Sequence, residues 1–151
     1  MTLSEHFSSN QIKFLETRNK LLAIEELAYS FEESSICENI SSLVKTLKER
    51  EEMMSTGIGF GIAIPHAKIH QVKKLSFAVG ISSHGIDFDS MDGTLVNLII
   101  LVIASDNQST EYLGLLSTIM NMLRIDGVKD SILSADSAET VYNIFQNNLA
   151  T

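Results

Sequence analysis

Apolar residues along this chain recur at two different spacings, and the switches between them divide it into blocks. Leu21, Leu22, Ile24, Leu27, Ala28 and Phe31 fall at helical spacing with Lys and Glu between them, which predicts a helix over residues 18–33. Ser35-Ile36-Cys37-Glu38 has capping-box form, a hydroxyl followed three residues later by a carboxylate. It predicts the start of a second helix that buries Ile40, Leu43, Val44 and Leu47 and runs out near Glu51. The period then shortens to two. Ile58, Phe60, Ile62 and Ile64 alternate with Gly59, Gly61 and Ala63, the pattern of one strand pressed close to other backbone. Residues 75–82 read as another strand, and 96–104 (VNLIILVIA) as one buried on both faces. A short first strand fits 12–15, and Ile86-Asp87-Phe88 a short edge segment before the Asp92-Gly93 turn. Helical spacing returns over 110–123, with Leu113, Leu116, Met120 and Leu123 on the buried face, and again over 128–133. Asp136-Ser137-Ala138-Glu139 opens a last helix through Tyr142, Ile144 and Phe145. Helices, then strands, then helices predict one α/β domain over 1–151, a central sheet covered by helices.

Composition narrows the function classes. A chain of 151 residues that is 44% hydrophobic can bury a core without staples. Its longest apolar run, 95–104, is too short for a membrane span and is interrupted by Asn97. The N-terminal MTLSEHFSSNQIK lacks the basic-then-apolar order of a signal peptide, and the single cysteine, Cys37, suits a reducing compartment. The expected location is the cytoplasm, with no membrane insertion. A formal charge of −8 argues against a nucleic-acid partner. It is compatible with a basic protein partner, and equally with plain solubility.

The stretch GFGIAIPHAK, residues 59–68, contains the only proline of the chain, followed at once by a histidine. Proline has no N–H to give to a sheet but can close a strand, so Pro65 is expected to set His66 just past a buried strand at the sheet rim. Ligands and chemistry gather at such rims in α/β sheets, and a neutral imidazole there is a competent nucleophile or base. On the residues alone, a histidine at a strand end is more often a surface or hydrogen-bonded structural residue. His66 and His70 are four apart, which would suit a zinc ion only on a helix, and Pro65 argues against one. No metal and no cofactor are expected. His6 and His84 read as surface loop residues, Cys37 as a small core residue and the methionines as packing.

Arg50, Ser55-Thr56-Gly57-Ile58-Gly59 and Gly61-Ile62-Ala63-Ile64-Pro65-His66-Ala67 together resemble the active-site segment of the type-2 enzyme IIA family. This is the fructose, mannitol and nitrogen-regulatory class of the phosphoenolpyruvate-dependent phosphotransferase system. The resemblance extends through Ile86-Asp87-Phe88, the Asp92-Gly93 turn, the buried strand and Glu111-Tyr112-Leu113, essentially the whole chain. It implies a mixed sheet flanked by helices on both sides. It also implies that His66 accepts a phosphoryl group from the phosphocarrier HPr and passes it to a IIB domain or holds it as a signal for regulatory target proteins. The activity would be transferase-like, through a phosphohistidine.

By the same resemblance Arg50 stabilises the phosphoryl group, which its fork of donors suits. The plainer reading of Arg50 is the solvated end of the KEREE run. Thr56 is placed as a hydroxyl donor to the phosphoryl group, and is equally well explained as a turn residue before Gly57. Tyr112 is a departure. Many family members have a second histidine here, whereas tyrosine offers a neutral O–H. Its alternative role is to pack its ring on Leu115 and Leu116. Tyr112, and the expected lack of fused IIB or membrane segments, favour a stand-alone nitrogen-regulatory enzyme IIA. The alternatives are a sugar-specific enzyme IIA feeding a separate IIB, and a non-phosphorylated binding module of the same fold.

Overall fold

The computed structural model of the chain describes residues 3–149. Among these, five α-helices cover six strands. The strands are β1 (Ile12–Phe14), β2 (Gly57–Gly59), β3 (Ile62–Ala63), β4 (His66–Lys68), β5 (Ser76–Ile86) and β6 (Val96–Ala104). The helices are α1 (Lys20–Tyr29), α2 (Ile40–Met53), α3 (Ser109–Leu123), α4 (Val128–Ser134) and α5 (Ala138–Asn148).

The sheet order is β1-β5-β6-β3-β2, with β4 also paired to β6. It is mixed: β1 is parallel to β5, β5 antiparallel to β6, β6 parallel to β3 and β4, and β3 antiparallel to β2. β6 explains the three layers, because successive side chains point to opposite faces. Leu98, Ile100, Val102 and Ala104 pack with α3, α4 and α5, while Ile99, Leu101 and Ile103 pack with α1 and α2. Apolar on both faces, β6 is buried along its length apart from partly exposed Asn97. The expected α/β domain with helices on both sides of a central mixed sheet is the observed one.

Five local expectations need correction. The alternating run 58–64 is not one strand but falls in the β2–β3 hairpin, turned at Phe60-Gly61 with φ of +58° and +76°. Positive φ at both central residues is what a type I′ hairpin turn uses. Phe60 is held there from outside: its N–H donates to Asp92 Oδ2 (3.0 Å) and its carbonyl accepts from Lys129 Nζ. Pro65 likewise does not end a strand. Ile62 pairs with Leu98 and His66 with Val102, so the register along β6 is unchanged across it. His66 therefore lies within the sheet, on an edge segment, rather than beyond a strand end.

The capping box at Ser35 does not form. Glu38 N–H donates to the Gln71 carbonyl and Cys37 bridges Val72, so this segment is used in extended pairing. α2 begins later, with Asn39 Oδ1 accepting from Ser42 N–H (3.0 Å). The first helix is likewise shorter than expected, capped by Asn19 and followed by a 3₁₀ turn at Glu32–Ser34. On α3 the buried stripe is Tyr112, Leu115, Ile119, Met122 and Leu123, and Leu113 is 61% exposed. This helix has apolar residues on nearly every side, so its spacing allows two neighbouring stripes; packing on the sheet selects one.

Candidate functional site

β4 carries the histidine. Alternation along the strand puts His66 and Lys68 on the α3 face and turns Ala67 to the other, where it is fully buried in the α1–α2 layer. Among the described residues β4 pairs only with β6, so its outer side is an open edge. The C-terminal turn of α2 approaches that edge from one face of the sheet and the first turn of α3 from the other.

The His66 Nδ1 is 3.0 Å from the Ile64 carbonyl oxygen. A carbonyl only accepts, so this contact assigns the proton to Nδ1 and leaves Nε2 with its lone pair. The ring lines a cleft of about 590 Å³ whose other walls include Arg50, Thr46 and Glu49 from α2, Thr56, and Ile58 from β2. Arg50 is exposed, in the last turn of α2. Met53 and Met54, 85% and 77% exposed, form an apolar rim beside it.

Tyr112 stands behind the histidine. The two ring centroids are 5.8 Å apart at 42°, and Tyr112 is buried. Lys68 Nζ lies 5.6 Å above the Tyr112 ring centre and donates to Ser109 Oγ (3.2 Å). Burial pushes the Tyr112 phenol above its ordinary value, and the Arg50 charge pulls it partly back. The phenol is therefore a neutral O–H at pH 7, and Arg50 is close enough for its field to reach it.

Thr56 reaches the cleft with its hydroxyl already engaged. Its Oγ donates to Glu51 Oε1 (2.6 Å) and its N–H to Glu51 Oε2 (2.9 Å). Four residues expected from sequence thus converge, His66, Arg50 and Thr56 around the cleft and Tyr112 against the histidine. His70 is exposed in the turn after β4, His6 Nδ1 bonds the Leu75 carbonyl (2.9 Å), and His84 lies beside Arg18 (3.4 Å). Among the described residues no group of three or more His, Cys, Asp or Glu gathers as a metal site. Nor is any helix there long and apolar enough to cross a membrane.

Residues 5–148 match the family described as phosphoenolpyruvate-dependent sugar phosphotransferase system, EIIA 2. The chain belongs to this enzyme IIA family. It is 28% identical over 149 residues to the fructose-specific EIIABC component of Bacillus subtilis, covering 98% of this chain but only 24% of that protein. It is 36% identical over 103 residues to a nitrogen regulatory protein of Pseudomonas aeruginosa, covering 68% of this chain and 67% of that one. The structure of nitrogen regulatory protein IIA-Ntr from Neisseria meningitidis superposes with a TM-score of 0.83 at 29% identity, covering 93% of this chain and 96% of that one. Both sugar-specific and nitrogen-regulatory proteins are thus similar to this enzyme IIA domain.

Two participants escaped the sequence reading. Glu51 was the point where α2 should run out, yet it is 2% exposed and paired to Lys20 of α1 at 3.3 Å. Its signal was its phase, four residues after Leu47 on the buried stripe. Lys68 had a signal too: it lies two residues after His66 on a strand, and so shares its face.

Proposed function

We propose that this enzyme IIA domain carries a phosphoryl group on His66, taken from an HPr-like phosphocarrier protein, and that it is of the nitrogen-regulatory type. The observation that supports this most is the His66 ring lining the cleft with Nδ1 3.0 Å from the Ile64 carbonyl oxygen, a contact that in the neutral ring leaves the lone pair on Nε2. The Nε2 lone pair attacks phosphorus in line while the bond to the donor breaks, and that bond's electron pair returns to the donor. Nδ1 keeps its proton, so no base is required. The ring gains positive charge, which the Ile64 carbonyl stabilises through the same hydrogen bond. Arg50 pairs with phosphoryl oxygens as charge spreads over them. The exposed Met53 and Met54 beside the cleft suit a protein donor, since adaptable apolar side chains make good contact surface.

The nitrogen-regulatory type draws support from the Neisseria and Pseudomonas relatives and from Tyr112, which by the family resemblance stands where many members have a second histidine. A sugar-specific carrier that hands its phosphoryl group to a IIB domain is the second reading. It is favoured by the B. subtilis fructose relative, whose match covers 98% of the chain. The test is incubation with phosphoenolpyruvate, enzyme I and HPr, followed by intact mass. One added phosphoryl group is expected, absent in His66→Ala and kept in His70→Ala and His84→Ala. Undiminished labelling of His66→Ala would overturn the assignment. Adding an isolated fructose-type IIB then separates the types: rapid loss of the label supports the sugar carrier.

A further inference from the structure

We propose that Glu51 is a positioning residue for His66, acting through Thr56 and the backbone of Ile64. A continuous series of bonds joins them. Lys20 Nζ is 3.3 Å from Glu51 Oε2; Thr56 N–H and Oγ–H donate to the two Glu51 oxygens; the Thr56 carbonyl accepts from Ile64 N–H (3.0 Å); and the Ile64 carbonyl accepts from His66 Nδ1–H (3.0 Å). The Glu51 side chain has no exposed surface, so its charge depends on these partners. Both Glu51 oxygens are bonded to the same threonine, so the carboxylate fixes Thr56 at its N–H and its hydroxyl together.

The consequence falls on the tautomer of His66. Ile64 is fixed at both ends, by Thr56 at its N–H and by His66 at its carbonyl, and Pro65 after it restricts its backbone to extended conformations. A carbonyl held in place selects the Nδ1–H tautomer, the one whose Nε2 is nucleophilic. When Thr56 shifts, the carbonyl shifts, and the proton is free to occupy Nε2 instead. Glu51 also follows Arg50 directly in the last turn of α2, so the same anchor ties the arginine wall of the cleft to the histidine wall.

This inference rests on His66 being the phosphoryl acceptor, and the experiment separates the two. Potassium phosphoramidate serves as a small phosphoryl donor that needs no partner protein. Labelling rate, melting temperature and the side-chain ¹⁵N shifts of His66 are measured for the parent, Glu51→Gln, Thr56→Val and Thr56→Ser. The expected result for Glu51→Gln and Thr56→Val is labelling about tenfold slower, with a visible move of the ¹⁵N shifts toward the Nε2–H tautomer. Thr56→Ser, which keeps the hydroxyl, restores most of the rate and the parental shifts. Folded Glu51→Gln and Thr56→Val proteins with parental rates and shifts overturn the proposal. So does slow labelling with unmoved shifts, because Thr56 then acts on the phosphoryl group itself. If Glu51→Gln does not fold, Thr56→Val and Lys20→Met decide by the same two readouts. A parent protein labelled elsewhere than His66 refutes the acceptor assignment instead, while the shifts still report whether Glu51 governs the tautomer.

Discussion

Phe60 occupies a backbone conformation that its side chain opposes, and replacing it with asparagine is expected to stabilise the protein. Its φ of +58° is left-handed, where a residue bearing a bulky side chain costs about 1–2 kcal/mol and asparagine is accommodated readily. The Phe60 side chain returns little in exchange. The residue is 80% exposed, and complete burial of phenylalanine is worth about 1.5–3 kcal/mol, so the covered fifth contributes about 0.3–0.6 kcal/mol. Both outside clamps act on the backbone, Asp92 on the N–H and Lys129 on the carbonyl, so they survive the substitution. Asn-Gly is moreover the preferred pair for this turn. The net gain should be about 0.5–1 kcal/mol, or a rise in Tm of about 1–4 °C for a domain of this size. Urea unfolding and calorimetry of the parent, Phe60→Asn and Phe60→Val test it, with the m-value unchanged throughout. Valine loses the same contact and keeps the strain, and should be the least stable of the three. An asparagine variant that melts below the parent refutes the reasoning, since it would mean the exposed ring holds the hairpin together.

Arg50→Ala should slow phosphorylation from HPr by at least tenfold while leaving Tm nearly unchanged, because an exposed arginine adds little to folding; a parallel fall in both would make it a structural residue. Tyr112→Phe keeps the ring against His66 and Lys68 and removes a neutral donor worth about 1 kcal/mol, so phosphoryl uptake measured by rapid quench should fall about fivefold. Equal rates would take its hydroxyl out of the reaction. Asp92 titrates below its ordinary value, chiefly because its carboxylate accepts the Phe60 N–H and then the Thr94 N–H and hydroxyl. Its contribution to stability is therefore present above pH about 4 and lost as pH falls through the depressed value. Asp92→Asn should flatten the acid limb of the stability profile below about pH 4; an unchanged limb in urea titrations contradicts the hairpin clamp.

Local spacing carried the elements because it records which faces must leave water. β6 was legible in full, and α2 through most of its length, since nine apolar-rich residues without period and a clear 3.6-residue stripe each admit one solution. His66 and Arg50 were singled out as candidates by the family resemblance of the segments around them, and the structure brings both to one cleft. Where one local pattern fits two structures, the sequence was silent. Alternation over 58–64 describes a straight strand and a hairpin equally, and what bends it at Phe60 is a carboxylate 32 residues away and an ammonium 69 away.

By itself the sequence determined the layers and the order of the elements, both consequences of short-range periodicity, and through its family resemblance it singled out His66 as the candidate acceptor. Tertiary structure alone decided that Pro65 interrupts an edge strand without ending it, that α3 turns Tyr112 inward, and that Glu51 is a buried anchor and not a solvated charge. Each of these turns on a partner distant in the chain: β6 holding register on both sides of Pro65, the sheet face selecting one of two stripes on α3, and Lys20, 31 residues before Glu51, supplying the opposite charge that burial demands.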